Sequence, residues 1–376
     1  MQENIKYKIC FLISSLCNEG PVNVMLNTLR FIDYSNFDVS VITLIPEKKS
    51  SKIDDFKKLP IKIYQISPEK KINLLLSYFK LRRLIKKIDP QIIHGHCSRP
   101  LYLMSFLPKK YKTVYTIHTY PGICNIAISG KYKGRIIIAL DNFFTKWCNK
   151  AICCSQNISD SYLTEKNIKY KAIPNGASFP IWVYNEKEKS MLRKEFKLKA
   201  DWKYFVFIGR FSSEKSPDAL IPVFKKLEKS KIGLVMLGDG PLMEDCKRHS
   251  SNNIVFVGFT NRVNDYLKAC DYYISSSEIE GLANTILENL SVGLPMVLSD
   301  IPAHHEILSN FMDSSSIGVL MNKNDVDDVV SKIQKIQAFN VESSQLKMHE
   351  VYKREYTAEI MSKRYQNVYI SLIKQQ

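Results

Sequence analysis

Glu280 and Glu288 lie eight positions apart in Glu280-Gly281-Leu282-Ala283-Asn284-Thr285-Ile286-Leu287-Glu288 and bracket an amphipathic run. Upstream stand the apolar Tyr272-Tyr273-Ile274 and then Ser275-Ser276-Ser277, a pattern that predicts strand, loop and a helix opening near Gly281. Eight helical residues rise about 12 Å, a little over two turns. Glu280 is therefore expected at the helix mouth and Glu288 about two turns deeper. Between them a helix N-terminus offers N–H groups and a positive dipole, which suit a phosphate. A ligand with hydroxyls at both ends and a diphosphate in the middle, the shape of a nucleotide-sugar, fits that spacing. Two Glu at this spacing also arise by chance, so the neighbouring motifs decide.

After the predicted strand Tyr204–Ile208 comes Gly209-Arg210-Phe211-Ser212-Ser213-Glu214-Lys215. Gly209 lets the chain turn. Arg210 and Lys215 are then two cations on a strand-end loop, able to clamp a diphosphate as a fork and a point charge. An ordinary charged surface loop is the competing reading. Gly238-Asp239-Gly240-Pro241 also follows a strand, but Met243 stands where a dinucleotide fingerprint needs its third Gly, so no NAD site is expected. Gly240 instead lines the same donor site as part of a tight turn. Backbone around Gly258-Phe259-Thr260-Asn261 is expected to meet a nucleotide base, with Thr260 among the contacts.

In the first half, Asn18-Glu19-Gly20-Pro21 follows the first strand, and Gly20 would let amides approach a phosphate. His118 ends the strand Thr113–Ile117, where it can hydrogen-bond a sugar hydroxyl, shift a proton, or serve as a satisfied structural histidine. His94-Gly95-His96 ends another strand. No third ligand accompanies the pair, so lining an acceptor pocket, with Arg99 nearby, is favoured over metal binding.

The elements that must position these residues follow a βαβ rhythm. Tyr7–Ser14, Asp38–Leu44, Ile61–Ile66, Gln91–His94, Thr113–Ile117 and Ala151–Cys154 read as strands of the first half. A polar stretch around Asn185–Ser190 interrupts the pattern after Pro174-Asn175-Gly176. It restarts with Tyr204–Ile208, Gly233–Leu237, Ile254–Val257, Tyr272–Ser275, Pro295–Leu298 and Ile317–Leu320. The prediction is α/β: two doubly wound Rossmann-like domains facing each other across a cleft that holds the ligand. Residues 1–180 form the first domain, expected to bind the acceptor. Residues 181–355 form the second, expected to bind the nucleotide-sugar. A last helix within 356–376 is expected to pack back on the first.

A chain of 376 residues exceeds what one core usually holds, in accord with two domains. Nine Cys in scattered positions argue against a disulfide framework and for a reducing compartment. Cys153-Cys154 lies in an apolar run and reads as buried strand. No secretory signal and no apolar segment of about 18 residues is visible, so a cytoplasmic protein is expected. The net charge of +17 calls for anionic partners. Lys80, Arg82, Arg83, Lys86 and Lys87 follow the largely apolar run Ile72–Phe79, and Lys109, Lys110 and Lys112 come later. An apolar face beside a cationic face suits the anionic inner surface of the cytoplasmic membrane. A core-facing helix with a solvated Lys face is the alternative. No nucleic-acid module is visible, and nucleic acid is not expected as a partner.

Taken together, Gly209-Arg210…Lys215, Gly238-Asp239-Gly240, Glu280-Gly281…Glu288 and Gly293-Leu294-Pro295 resemble the retaining glycosyltransferases of the GT-B fold, family 4. Glu19-Gly20-Pro21, His118 and Pro174-Asn175-Gly176 extend the resemblance over nearly the whole chain. The first half is similar to enzymes that build bacterial capsule or lipopolysaccharide glycans. The resemblance implies that Arg210 and Lys215 hold the donor diphosphate, Glu280 contacts the donor sugar, Glu288 accepts from the ribose hydroxyls, and His118 contacts the sugar near the reacting centre. Gly20, Gly209, Gly240, Thr260, Gly281, Leu282 and Ala283 would line the donor site. Ser216 replaces a common Gly and Ala283 a common Pro, neither of which removes a charged contact. The expected reaction moves a hexose or N-acetylhexosamine from a UDP-sugar to a saccharide acceptor, lipid-linked, with retention. No cofactor or essential metal is expected, because the two cations do the metal's electrostatic task. A GT-B epimerase or phosphorylase, or a non-catalytic glycan- or membrane-binding subunit, are the rival readings.

Overall fold

The computed structural model describes residues 6–48, 50–68, 73–119 and 130–375. Chain contacts divide it into two units, residues 1–177 with 357–376, and 178–356.

The first unit is built on a seven-stranded parallel sheet: β1 (Tyr7–Ile13), β2 (Phe37–Thr43), β3 (Lys62–Gln65), β4 (Ile92–His96), β5 (Lys112–Ile117), β6 (Lys150–Cys153) and β7 (Lys171–Ala172). Their order is β3-β2-β1-β4-β5-β6-β7. The central strands read as unbroken apolar runs because helices cover both faces: Ile9 to Ile13 are all buried. β7, two residues long, carries no apolar run and escaped the sequence reading. The helix Ala358–Ile373 belongs to this unit and sends Met361, Tyr365, Val368, Tyr369 and Leu372 into its core beside Phe11 and Leu29. It starts where Thr357 Oγ1 accepts from the Ile360 amide at 3.3 Å and where Ala177 bridges Thr357. Gly176 is required there, since a Cβ would sit 2.4 Å from the Thr357 carbonyl oxygen.

The second unit carries a six-stranded parallel sheet: β8 (Lys203–Ile208), β9 (Ile232–Leu237), β10 (Ile254–Gly258), β11 (Tyr272–Ser275), β12 (Met296–Ser299) and β13 (Gly318–Met321). The order β10-β9-β8-β11-β12-β13 reverses direction between β8 and β11, which is where such sheets bind ligands beyond their strand ends. The polar stretch read as an interruption is instead a helix, Glu186–Glu195, capped by Asn185 Oδ1 accepting from the Glu188 amide at 3.1 Å. Its inward face is cationic. Lys189 and Arg193, one turn apart, reach the buried Asp271 at 2.8 and 2.6 Å. An ion-pair cluster docks this helix, so no apolar stripe marks it in the sequence. Among the described residues, no helix is long and apolar enough to cross a membrane.

Candidate functional site

The switch between β8 and β11 is where the second unit gathers charge. The loop after β8 runs alongside the loop after β11: Ser276 Oγ donates to the Lys215 and Ser216 carbonyls at 3.0 and 2.7 Å, and the Glu278 amide donates to the Glu214 carbonyl at 2.8 Å. This stitching brings the Lys215 ammonium onto the Glu280 carboxylate as an ion pair. Ser277 Oγ donates to the same carboxylate oxygen at 2.8 Å. Ser299 Oγ holds the Ser277 carbonyl at 2.6 Å, and the buried His304 Nδ1–H donates to the Ser299 carbonyl at 2.7 Å. Burial works against ionising Glu280, but the Lys215 charge, with the Lys215 and Ser277 hydrogen bonds, overcomes it and holds the carboxyl below its ordinary range. Burial keeps His304 below the ordinary imidazole range, so it is a neutral prop. Lys323 pairs with Glu278 on the outer side.

Two sequence expectations are corrected here. Lys215 and Glu280 do not stand apart as separate ligands, because the one neutralises the other across 65 positions of chain. The helix opens at Asn284, with Ala283 in extended conformation as its cap, rather than near Gly281. Glu280 therefore lies on the loop before the helix and Glu288 about one turn inside it, and the dipole end begins at Asn284 instead of Leu282. Gly281, Leu282 and Ala283 are all buried, so the side chains of Leu282 and Ala283 offer no surface to a ligand.

Arg210, on the same loop as Lys215, is exposed and has no ion-pair partner among the described residues. The neighbouring turns are fixed by contact. Gly238 has φ 129°, and a Cβ there would lie 1.9 Å from the Gly209 carbonyl oxygen. At Gly240 a Cβ would lie 2.5 Å from the Phe211 carbonyl oxygen, and the Phe211 amide donates to the Asp239 carbonyl at 3.0 Å. The two glycines thus seat the β9 turn against the Arg210 loop. The Gly240 amide donates to the Asp239 carboxylate at 2.7 Å. Thr260 Oγ1 accepts from the Arg262 amide at 3.1 Å and shapes the turn after β10.

In the first unit, Gly20 opens the helix Gly20–Arg30 just beyond β1, exposed, with no side-chain cap from Glu19. His94 corrects an expectation. It is fully buried, with Nδ1 at 2.8 Å from Tyr369 Oη and Nε2 at 2.8 Å from Thr116 Oγ1, so both ring nitrogens are used inside the core. It faces no acceptor. His96 is equally buried, and its Nδ1 lies 2.9 Å from His118 Nε2. His118 keeps partial exposure. Burial pushes the His94 and His118 imidazoles down to about 3 and His96 well below normal. The His96–His118 contact therefore joins two neutral rings, one donating and one accepting. A lowered imidazole favours hydrogen bonding over proton shifting for His118. Arg99 is exposed in the first turn of the helix Ser98–Ser105.

Residues 19–178 match the Glycosyltransferase Family 4 model, and residues 188–350 match the model for Glycosyl transferases group 1. The chain carries a glycosyltransferase family 4 domain followed by a glycosyl transferases group 1 domain. It is similar to the Escherichia coli UDP-Gal:alpha-D-GlcNAc-diphosphoundecaprenol alpha-1,3-galactosyltransferase, at 24% identity over 84% of each chain. It is also similar to the O-antigen biosynthesis glycosyltransferase WclY of Escherichia coli, at 25% identity over 98% of this chain and 99% of that one. The structure of Anabaena HepE in complex with UDP and glucose superposes with a TM-score of 0.79 at 15% identity, covering 96% of this chain and 99% of the other, and shares the GT-B fold.

In this glycosyltransferase the sequence reading named Lys215 and Glu280 but not the residues that hold them together. Ser276, Ser277, Ser299 and His304 build the shelf on which Lys215 and Glu280 meet. The Ser275-Ser276-Ser277 run was the one available signal, since three hydroxyls after a buried strand need partners. Among the described residues, no group of three His, Cys, Asp or Glu is placed to hold a metal ion.

Proposed function

We propose that this glycosyltransferase moves a hexose or N-acetylhexosamine from a UDP-sugar to a lipid-linked saccharide, with retention of configuration, in the synthesis of a bacterial surface polysaccharide. The observation that carries the reading is the Lys215–Glu280 ion pair at the β8/β11 switch, with exposed Arg210, which has no ion-pair partner among the described residues, on the same loop. The pair keeps a cation and an acid poised before a ligand arrives. A donor diphosphate takes over as the counter-charge of Lys215, and Arg210 adds a second contact. Glu280, released from Lys215, is then able to accept a hydrogen bond from a donor-sugar hydroxyl. The dipole of the helix Asn284–Val292 points its positive end toward the same loop system, and Glu288 in its second turn is assigned to the ribose hydroxyls. Negative charge grows on the departing diphosphate as the glycosidic bond breaks, so Arg210, Lys215 and the dipole stabilise the transition state more than the ground state. These cations do the task of a divalent metal.

The name of the Escherichia coli galactosyltransferase supports the choice of UDP and of a diphosphoundecaprenol-linked acceptor. The acceptor side is assigned to the first unit, where His118, fixed by His96, offers a neutral imidazole to a sugar hydroxyl, with Arg99 nearby. Retention fits a route in which the departing phosphate deprotonates the acceptor on the same face, since nothing marks a second carboxylate beside Glu280 as a nucleophile. The test is turnover with UDP-sugars and a diphosphate-linked acceptor, reading the anomeric configuration of the product by NMR. Arg210→Ala should keep the melting temperature and lose about 10²–10³ in turnover. Wild-type turnover in that variant, or an inverted product, overturns the scheme.

A further inference from the structure

Glu280 is not the only acid beside Lys215. Glu278 stands two residues earlier on the same loop. Its amide donates to the carbonyl of Glu214, the residue before Lys215, at 2.8 Å. Two carboxylates therefore hang from a loop stitched to the Lys215 segment. The structure sorts them with a second lysine. Glu278, its side chain 54% exposed, pairs with Lys323, whose side chain is only 10% exposed.

Lys323 lies on the turn after β13, and β12 separates β13 from β11 in the sheet. At about 4.8 Å per strand step, the pair bridges a gap of roughly 10 Å. It passes over the acid of the intervening strand, Asp300, which lies 2.6 Å from His305 Nε2. The turn under Lys323 is fixed by its own bonds. The Asn322 amide donates to the Asp328 carboxylate at 2.8 Å, and Lys323 Nζ donates to Asn324 Oδ1 at 3.1 Å. The lysine is thus held in place, and the half-exposed Glu278 side chain comes to it. The backbone of the Glu278 loop is already pinned by its own amide and by the Ser276 hydroxyl. The Lys323 pair adds control of one side chain. Released from Lys323, the Glu278 carboxylate has Lys215 as the nearest cation along the stitched loop. It would compete with Glu280 there and set a second negative charge beside the place proposed for the donor diphosphate.

We propose that Lys323 is a positioning residue for donor binding: it draws the Glu278 carboxylate to the outer side of the loop, so that Lys215 is left to Glu280 and the diphosphate. This role rests on the assignment of Lys215 to the diphosphate. At an effective dielectric constant of about 20, one extra negative charge roughly 10 Å from a phosphate charge weakens binding on the order of tenfold.

The experiment is calorimetric titration of UDP into the full chain, with thermal melts to verify folding of each variant. Lys323→Met keeps the buried stem and removes only the charge. Its Kd for UDP is expected to rise about tenfold at low salt, and the rise to shrink as salt is added. Lys323→Arg, which keeps the charge, should bind as wild type does. Adding Glu278→Gln to Lys323→Met removes the competing acid and should bring Kd back to within about twofold of wild type. A lysine that only tethers the loop predicts the reverse, since the double variant still lacks the tether and would stay weak. Wild-type affinity in Lys323→Met, or a double variant that stays weak, overturns the inference; a loss of UDP binding in Lys215→Ala measured alongside leaves the donor assignment standing. Undiminished UDP binding by Lys215→Ala overturns both.

Discussion

Replacing Glu280 by Gln tests the centre of the proposed site, because it removes one charge with almost no change of shape. The carboxylate is 10% exposed and Lys215 is 26% exposed. Uncoupling a fully buried pair costs about 3–5 kcal/mol, whereas an exposed pair contributes about 0.2–1 kcal/mol. The partial exposure of Lys215 places the expected loss between these, at about 2 kcal/mol. For a domain of this size that lowers the melting temperature by roughly 4–8 °C. UDP should then do more for the variant than for the native chain. Its diphosphate returns a counter-charge to a lysine that has none, so the UDP-induced rise in melting temperature is expected to equal or exceed that of wild type. Lys215→Ala should behave in the opposite way, losing most of the UDP-induced rise. The double variant closes a thermodynamic cycle whose coupling should be about 1–3 kcal/mol in the absence of UDP. Differential scanning fluorimetry with and without UDP reads all four proteins. Additive effects within about 0.3 kcal/mol refute the ion pair. An undiminished UDP response in Lys215→Ala refutes the diphosphate role while leaving the pair intact.

Glu288→Ala should raise the KM for a UDP-sugar about 10- to 100-fold with little change in kcat, since a hydrogen bond to a charged group contributes roughly 1.5–3 kcal/mol in ground and transition states alike; an unchanged KM removes the ribose role. Incubation with EDTA should leave turnover largely intact, and a complete loss restored by Mg²⁺ would contradict the metal-free scheme. His94 predicts an acid-labile first unit. Its imidazole is pushed down to about 3 in the folded chain, against about 6.5 when unfolded, so between these values the unfolded chain holds the extra proton. Stability should therefore fall as pH drops below about 6.5, by about 1.4 kcal/mol per pH unit from this residue, and level off near pH 3. Urea midpoints at a series of pH values check the slope, which should be shallower in His94→Asn.

How much of this could be read from the sequence follows from the range of each interaction. The parallel strands were legible because each is a local apolar run buried on both faces. All six strands of the second sheet were found, and six of seven in the first. β7 was lost because two residues, Lys171 and Ala172, carry no pattern. The helix Glu186–Glu195 was lost for a different reason. Its buried residues are Lys189 and Arg193, whose burial depends on Asp271, 78 positions or more away. Local polarity pointed to a loop, and a distant acid reversed it.

The same reasoning separates what was visible of the site from what was not. Residue types and strand ends were enough to name Arg210, Lys215, Glu280 and Glu288 as candidates. They could not say that Lys215 and Glu280 lean on each other, because that contact depends on how the loops after β8 and β11 lie together once Ser276 bonds the Lys215 and Ser216 carbonyls. Nor could spacing tell His94 from His118. Both were read at strand ends, yet β4 runs two residues past His94 and turns it into the Tyr365–Tyr369 side of the core, while His118 lies beyond the last residue of β5 and keeps an open side. A two-residue difference in where β4 stops thus decides whether His94 is core structure or stands at an open strand end. Sequence spacing alone does not resolve strand ends to one residue.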